Sequence, residues 1–359
     1  MLTLAMNPPY LTAELPGIGG RLKSQPTDFQ VEEIAAYEPS GTGDFLYLWV
    51  EKQGMGAEYF ERYIARQLRI SSHDVGTAGL KDRHAITRQW VSVPISVEGQ
   101  LAQLETPEVR VLRVERHSNK LRSGHLHGNR FTIRLRDVNE AEHAARLQAI
   151  LDELLHQGVP NYFGPQRFGR DGETGIWGWS LLRGEPLQPS HTGQRPNVRN
   201  SFLRKLMLSA GQSVLFNVYL ARRLTDGLFR QVLPGDVMAK WPFGGMFTVE
   251  DVATEQTRFD ARELVTCGPI FGRKTFPTHA IAAEREQSIL QESGLNRDVF
   301  REHGKLLQGT RRHNLIYLTD LETTWDADGV VLHFTLPPGS YATVVLGEIM
   351  KIPVVGDEE

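Results

Sequence analysis

The chain of 359 residues is poor in cysteine, with Cys267 as its one thiol. A lone cysteine excludes an internal disulfide and leaves no cysteine cluster for zinc. No apolar run approaches the roughly 20 residues needed to cross a bilayer. The opening MLTLAMNPPYLTAELPG has neither a basic n-region nor a clean cleavage site, so export is not expected. Neither Gly17-Ile18-Gly19-Gly20 nor the loop 169–175 carries the Lys-Ser/Thr pair of a P-loop, which leaves nucleoside-triphosphate binding without support. Repeats and low-complexity tracts are missing too. The net charge is −3, so the chain lacks the overall positive excess typical of nucleic-acid binders. These absences point to a cytoplasmic protein with no cofactor, no structural metal and no membrane partner, expected to act as a monomer.

What is present begins with length, which suffices for two domains that each bury a core. A content of 40% apolar and 23% charged residues is ordinary for a globular protein. Residues Gly79 to Val93, GLKDRHAITRQWVSV, concentrate the chemistry. A turn-forming glycine leads to one carboxylate, Asp82, flanked by Lys81, Arg83 and His84, and a strand-like Trp90-Val91-Ser92-Val93 follows. Nearby positive charge favours the ionised carboxylate. Such an acid suits attack or proton abstraction at a sugar carbon of a polyanionic substrate; the plain alternative is a charged surface turn. For His84 a structural hydrogen bond is expected rather than general-base work.

A second concentration is basic. Arg110, Arg113, Arg116, Lys120, Arg122, Arg130, Arg134 and Arg136 are opposed within their own stretch only by Glu115, and His117, His125 and His127 sit among them. A local stripe of cations attracts phosphates even where acidic segments elsewhere cancel the total. RNA contact is expected of the run as a whole, and simple solvation of any single member.

The pattern along the chain is mixed. Phe45 to Val50 (FLYLWV) reads as a buried strand. Residues 56–69 put Phe60, Tyr63, Ile64 and Leu68 on one helical face. Phe131-Thr132-Ile133-Arg134-Leu135-Arg136 alternates, with apolar side chains on one face and cations on the other. The clearest helix runs from Glu140 to Gln157, with Asn139 and Glu142 as a capped start and Gly158 as a stop. Its buried stripe is Leu147, Ile150, Leu151, Leu154 and Leu155. GVPNYFGPQRFGRDGETG then turns to glycine, proline and aromatics and marks a domain boundary. Helical periodicity resumes over 202–224 and 280–292, and strand character returns from Arg311. Strands at both ends around a helical middle predict an α+β protein whose catalytic domain is interrupted by an insertion.

GLKDRHAITRQW resembles the signature of the TruD family of tRNA pseudouridine synthases. Further resemblance follows the family's order in KSQPTDFQVEE from Lys23, HGNRFTIRLRD from His127, GVPNYFGPQRFGR from Gly158 and FTLPPGSYAT from Phe334. It therefore spans nearly the whole chain. It implies a pseudouridine-synthase-like catalytic domain with a largely antiparallel sheet, formed by residues 1–157 and 310–359. An inserted α/β TRUD domain would occupy 158–309. The implied partner is tRNA and the implied reaction is isomerisation of a uridine, by resemblance uridine 13 of the tRNA for glutamate. That reaction breaks a glycosidic bond, turns the base and rejoins it through carbon, so it needs no redox centre, metal or nucleotide cofactor.

The resemblance also implies roles. The family's essential group is one Asp, and Asp82 occupies its position. Asp82 either attacks C1′ or removes a proton from C2′, and both routes need it ionised. Lys23 is the preferred cation within about 4–6 Å. Lys81 and Arg83 would point away from Asp82 in an extended backbone, toward phosphate or solvent. Phe131 takes the place that stacks on the substrate base, Asn129 hydrogen-bonds ribose or the uracil edge, and Phe29 and Phe334 line the pocket. Arg167 and Arg170, among Tyr162, Phe163 and Phe168, are expected to face a cleft between the domains and touch RNA, with the aromatics either stacking on bases or packing a hinge. Arg195, Arg199, Arg204, Lys205, Arg311 and Arg312 are weaker contact candidates.

Gly339 to Thr343 (GSYAT) reads as a turn entering a helix, either a phosphate-binding N-terminus or an ordinary capped start. One position departs from the family: Gly347 precedes Glu348 where an Arg is common. Two other classes stay open. One is a non-catalytic RNA-binding or RNA-chaperoning protein of the same fold. The other is a glycosidic hydrolase, which commonly needs a second carboxylate about 5–10 Å from the first; the matching blocks offer none.

Overall fold

The alternation read from Phe131 to Arg136 falls largely in a strand, Leu126–Leu135, and the register of its neighbours decides which residues share a face. The structure is a computed structural model and describes residues 1–79, 81, 83 and 85–352. Asp82 and His84 lie outside the described residues.

Two compact units are formed. One holds Ile18–Gln148 with Leu318–Gly339; the other holds Met1–Gly17, Ala149–Tyr317 and the described residues from Ser340 on. In the first unit the strands are β1 (Phe29–Ala35), β2 (Phe45–Gln53), β3 (Gly76–Thr77), β4 (Ile86–Pro94), β5 (Val109–His117), β6 (Leu126–Leu135), β7 (Thr319–Asp326) and β8 (Gly329–Leu336). They make one sheet in the order β7-β8-β6-β1-β4-β2-β5, with β3 beside β4. The β1–β4 ladder is parallel and the others are antiparallel. With the helices, this is the α+β class that the pattern predicts, with the largely antiparallel sheet that the resemblance implies.

Register divides the sheet chemically. Opposite Phe131 stand Val31 on one side and Phe334 on the other. Phe29, Val31, Phe131, Ile133, Leu135, Leu332, Phe334 and Leu336 are all buried on this face. Each contributes about 1.5–3 kcal/mol on leaving water. Stepping by one residue reaches the charged face, where Glu32 stands across from Arg130 and Arg88. At the sheet's edge, β5 exposes Arg110 and Arg116, the kind of charge that discourages pairing with another chain. The helix Ala57–Gln67 covers another part, burying Phe60, Tyr63 and Ile64 beside Leu46, Leu48 and Val91.

The helix Glu140–Gln157 has the predicted limits. Asn139 Oδ1 accepts from the Glu142 amide at 2.9 Å, and Gly158, at φ 84°, takes the left-handed turn that ends it.

The second unit is built around the helix Ser201–Thr225. Asn200 caps it by accepting from the Phe202 and Leu203 amides. Its middle, Met207 to Ala221, is buried almost continuously, as expected of a helix surrounded by protein. Against it lie four antiparallel strands in the order Thr310–His313, Leu264–Ile270, Val237–Lys240 and Met246–Thr248. The strands Leu264–Ile270, Val237–Lys240 and Met246–Thr248 are the part of the fold the periodicity did not show, whereas Thr310–His313 falls where strand character is expected to return. No helix among the described residues is long and apolar enough to cross a membrane.

Candidate active site

Six sequence candidates come together in the first unit, on β1, β6 and β8 and the segments leading to β1 and β4. Asn129 stands opposite Glu33 in the β6–β1 ladder, two residues from Phe131. Phe131 stacks on Phe334 with centroids 5.5 Å apart, and Phe29 meets it edge-on at 6.2 Å. Phe29 and Phe334 have 1% and 0% exposure, against 7% for Phe131. Phe29 and Phe334, expected to line a pocket, thus pack against the Phe131 ring, and Phe131, expected to stack on the base, is the least covered of the three. Asn129 Oδ1 is buried and has no hydrogen-bond partner among the described residues. An unsatisfied buried acceptor costs about 1–3 kcal/mol and marks a place where a ligand donor would fit.

Lys23 sits where the chain approaches β1. Its φ of 55° is left-handed, a conformation costing a non-glycine residue roughly 1–2 kcal/mol. Strain of this sort gathers at functional sites. Its ammonium lies 4.4 Å from the centroid of the Phe29 ring, within cation–π range.

Lys81 differs from expectation. Instead of facing phosphate or solvent, its ammonium lies 2.7 Å from Glu33 Oε2, and the two side chains are 3% and 1% exposed. Glu33 Oε1 also accepts from the Trp90 amide at 3.4 Å. The reason is that Glu33 falls on the buried face of β1, where a carboxylate requires a cation. Lys81 thus anchors the chain at the position before Asp82. Arg83 is exposed. Sequence reasoning missed Glu33, although an acid in step with Phe29 and Val31 signals a buried carboxylate in need of a partner.

The basic stripe acquires partners in the fold. The fold supplies acids that local sequence did not show: Arg110 meets Glu51 at 3.9 Å, Arg116 Glu98 at 3.0 Å, Arg130 Glu32 at 3.0 Å, and Arg136 Asp28 at 2.8 Å. Arg113 pairs with Glu115 at 2.9 Å and Arg134 with Asp326 at 2.7 Å. Hydrogen bonds to these carboxylates raise the pKa values of Arg134 and Arg136 further above the usual guanidinium value. Arg122 is exposed and has no ion partner among the described residues.

In the second unit, Arg167 and Arg170 follow the aromatic block. Arg170 is exposed. Arg167 donates from Nε to Ser213 Oγ at 3.0 Å and from Nη2 to Ser209 Oγ at 2.5 Å. Tyr162 and Phe168 are buried packing residues, at 2% each. Ala342–Met350 is a helix, entered through Gly339 at φ 76°, so the GSYAT turn is present. Glu348 within it is buried and accepts from the amides of Leu11 and Thr12 at 2.7 and 3.1 Å. Lys351 approaches the same carboxylate at 3.0 Å. Among the described residues no group of three or more His, Cys, Asp or Glu is arranged to hold a metal.

The family model of tRNA pseudouridine synthase D (TruD) matches residues 5–189 and 197–349. A tRNA pseudouridine synthase D of Anaeromyxobacter sp. (strain Fw109-5) is 43% identical over 347 residues, covering 96% of both chains. A protein of that name from Thermus thermophilus is 39% identical, covering 96% of this chain and 92% of its own. A crystal structure of a tRNA pseudouridine synthase D (TruD) from Methanosarcina mazei superposes with a TM-score of 0.76 at 25% identity, over 98% of this chain and 97% of the other. The class is therefore that of the tRNA pseudouridine synthases, which are isomerases. Within that class, the chain belongs to the TruD family.

Proposed function

We propose that the protein converts a uridine of tRNA, uridine 13 of the tRNA for glutamate, into pseudouridine with Asp82 as the single catalytic carboxylate. The observation that carries the reading is the unpartnered buried oxygen of Asn129 beside the Phe131 ring, in a chain of this family. A flat base with a ring N–H donor satisfies both groups at once: uracil stacks on Phe131 while its N3–H donates to Asn129 Oδ1. Drawing the nucleotide from its stack costs a few kcal/mol, which these contacts offset.

In this reading the C1′–N1 bond breaks and a C1′–C5 bond forms, after which the C5 proton leaves and N1 ends protonated, so that no atom is gained or lost. Asp82 acts either at C1′ as nucleophile or at the C2′ proton as base. Lys23 supplies the positive charge that keeps Asp82 ionised. Phe29 and Phe334 hold the Phe131 ring, and Lys81, tied to Glu33, positions the backbone next to Asp82. Arg83, Arg167 and Arg170 contact the RNA, the last two from an inserted domain of residues 158–309. The work is done in the cytoplasm, by a monomer.

Asp82→Asn decides the matter. The variant folds and binds tRNA, and pseudouridine mapping of that tRNA shows none. Normal turnover by the variant would overturn the catalytic assignment, and loss at many unrelated sites in cells lacking the protein would overturn the narrow specificity.

A further inference from the structure

Within the second unit, one aromatic ring gathers two guanidinium groups and no acid. Arg312, on the strand Thr310–His313, lies 4.1 Å from the centroid of the Phe163 ring, and Arg167 lies 5.6 Å from the same centroid. Phe216 and Tyr341 complete an aromatic wall, at 5.5 and 5.9 Å from the Arg312 guanidinium. Neither arginine has a carboxylate within ion-pairing distance among the described residues. Their neutral partners orient them: Arg312 donates from Nε and Nη2 to the carbonyl and side-chain oxygens of Asn161 at 2.9 and 2.7 Å, and Arg167 donates to the two serines already named. No hydrogen bond uses Nη1 of either arginine among the described residues.

The scaffold is built to hold this arrangement. Asn217, fully buried, accepts from the Phe163 amide at 2.8 Å and donates to its carbonyl at 3.0 Å, fixing the ring's backbone on both sides. Gly164 permits the close fit, since a Cβ there would meet Thr343 Oγ1 at 2.5 Å. Burial, foremost, and then Arg167 pull the pKa of Arg312 down to about 10, against the opposing pull of Tyr341. At neutral pH the Arg312 guanidinium still carries its charge. Burial and a neighbouring cation both disfavour the charge on Arg312, no acid among the described residues offsets them, and an anion supplied from outside would do so.

We propose that Arg312 and Arg167, both within cation–π distance of Phe163, bind one phosphodiester group of the RNA substrate. The planar guanidinium fork matches the phosphate oxygens. The aromatic rings around Arg312 and its two hydrogen bonds to Asn161 hold the fork in place before the ligand arrives. This deepens the reading of the protein as a tRNA-modifying enzyme and rests on it, since it names the chemical group that the second unit holds and adds Arg312 as its principal contact.

The test measures binding alone, with the Asp82→Asn protein and a tRNA transcript over a range of salt. Arg312→Gln and Arg167→Gln each weaken the Kd about tenfold near 0.1 M salt and lower the slope of log affinity against log salt by about one. An unchanged Kd in both folded variants would overturn the proposal. Weaker binding with an unchanged slope would overturn the phosphate assignment. Should Arg312→Gln fail to fold, judged by near-ultraviolet circular dichroism, Arg167→Gln decides alone. The two ideas fail separately, because turnover is read in a second assay on the protein that keeps Asp82: pseudouridine formed there, with the salt slope unaltered in the variants, removes only the phosphate site, and an altered slope with no pseudouridine formed by that protein removes only the catalytic reading.

Discussion

The arginines of the eight-stranded sheet and the pair at Phe163 live under opposite electrostatic rules. On the sheet, Arg110, Arg116, Arg130, Arg134 and Arg136 have each been given an acid from a distant part of the sequence. At Phe163, Arg312 and Arg167 have been given oxygens of Asn161, Ser209 and Ser213, all neutral. The same unit shows that an arginine can be fully served: Arg223, with no exposed surface, reaches Asp236 at 2.6 and 2.9 Å and also Tyr219, Leu228 and Gln231. Counting basic residues thus locates charge but not availability. A guanidinium already satisfied by carboxylate gains little from phosphate, whereas one ringed by neutral acceptors gains a full ion pair.

Buried pairs give the largest effect by which this contrast can be tested. Replacing Lys81 by Met leaves the Glu33 carboxylate buried without its cation, and breaking such a pair costs about 3–5 kcal/mol. Urea unfolding of Lys81→Met should show that loss. The double variant Lys81→Met, Glu33→Gln should recover most of it, because no bare charge then remains. If the single and double variants lose the same amount, the ion pair is not what holds position 81.

Most of the fold could be read ahead of the structure, and the reasons are local. Helices 140–157, 201–225 and 280–292 announced themselves by apolar spacing and by Asn139 and Gly158 at the ends of the first. The strand holding Phe131 announced itself by alternation. The site was legible as types of residue in blocks, Phe131 and Asn129 among them, but not as contacts. That Glu33 would take Lys81 follows from a pairing 48 positions apart, and that Asp326 would take Arg134 from one 192 apart. Arg312 looked like a minor surface cation because its aromatic neighbours, Phe163 and Tyr341, come from two other blocks. Non-local partners decide whether a charge is spent, and periodicity does not carry them.

Acid titration probes the partly buried pair Asp28–Arg136. Burial raises the Asp28 pKa, but hydrogen bonds from Arg136 and from the Gln25 amide outweigh it, and the net shift is downward. A carboxyl depressed in the folded state contributes stability that is complete above its unfolded value, near 3.9. That contribution disappears as pH falls through the lower folded value. Asp28→Asn should therefore cost about 2 kcal/mol at pH 7, the size of a hydrogen-bonded charged contact. The gap from the parent protein should close below pH 4. A gap that stays constant down to pH 2 would show that the carboxyl acts by shape and not by charge.

Arg134 offers the smallest effect and the sharpest comparison. Its pair with Asp326 is partly exposed, with side chains 21% and 44% accessible. Exposed pairs of this kind are worth about 0–1 kcal/mol, and added salt screens what remains. Arg134→Gln should then leave the unfolding free energy within about 1 kcal/mol of the parent. In the tRNA titration its salt slope should stay at the parent value, because Asp326 already neutralises the guanidinium. Asp326→Asn turns the argument round: it frees Arg134, and the slope should steepen if that face lies near RNA. If Arg134→Gln lowered the slope as far as Arg312→Gln does, carboxylate pairing would not govern which arginines meet phosphate, and the distinction between the two regions would collapse.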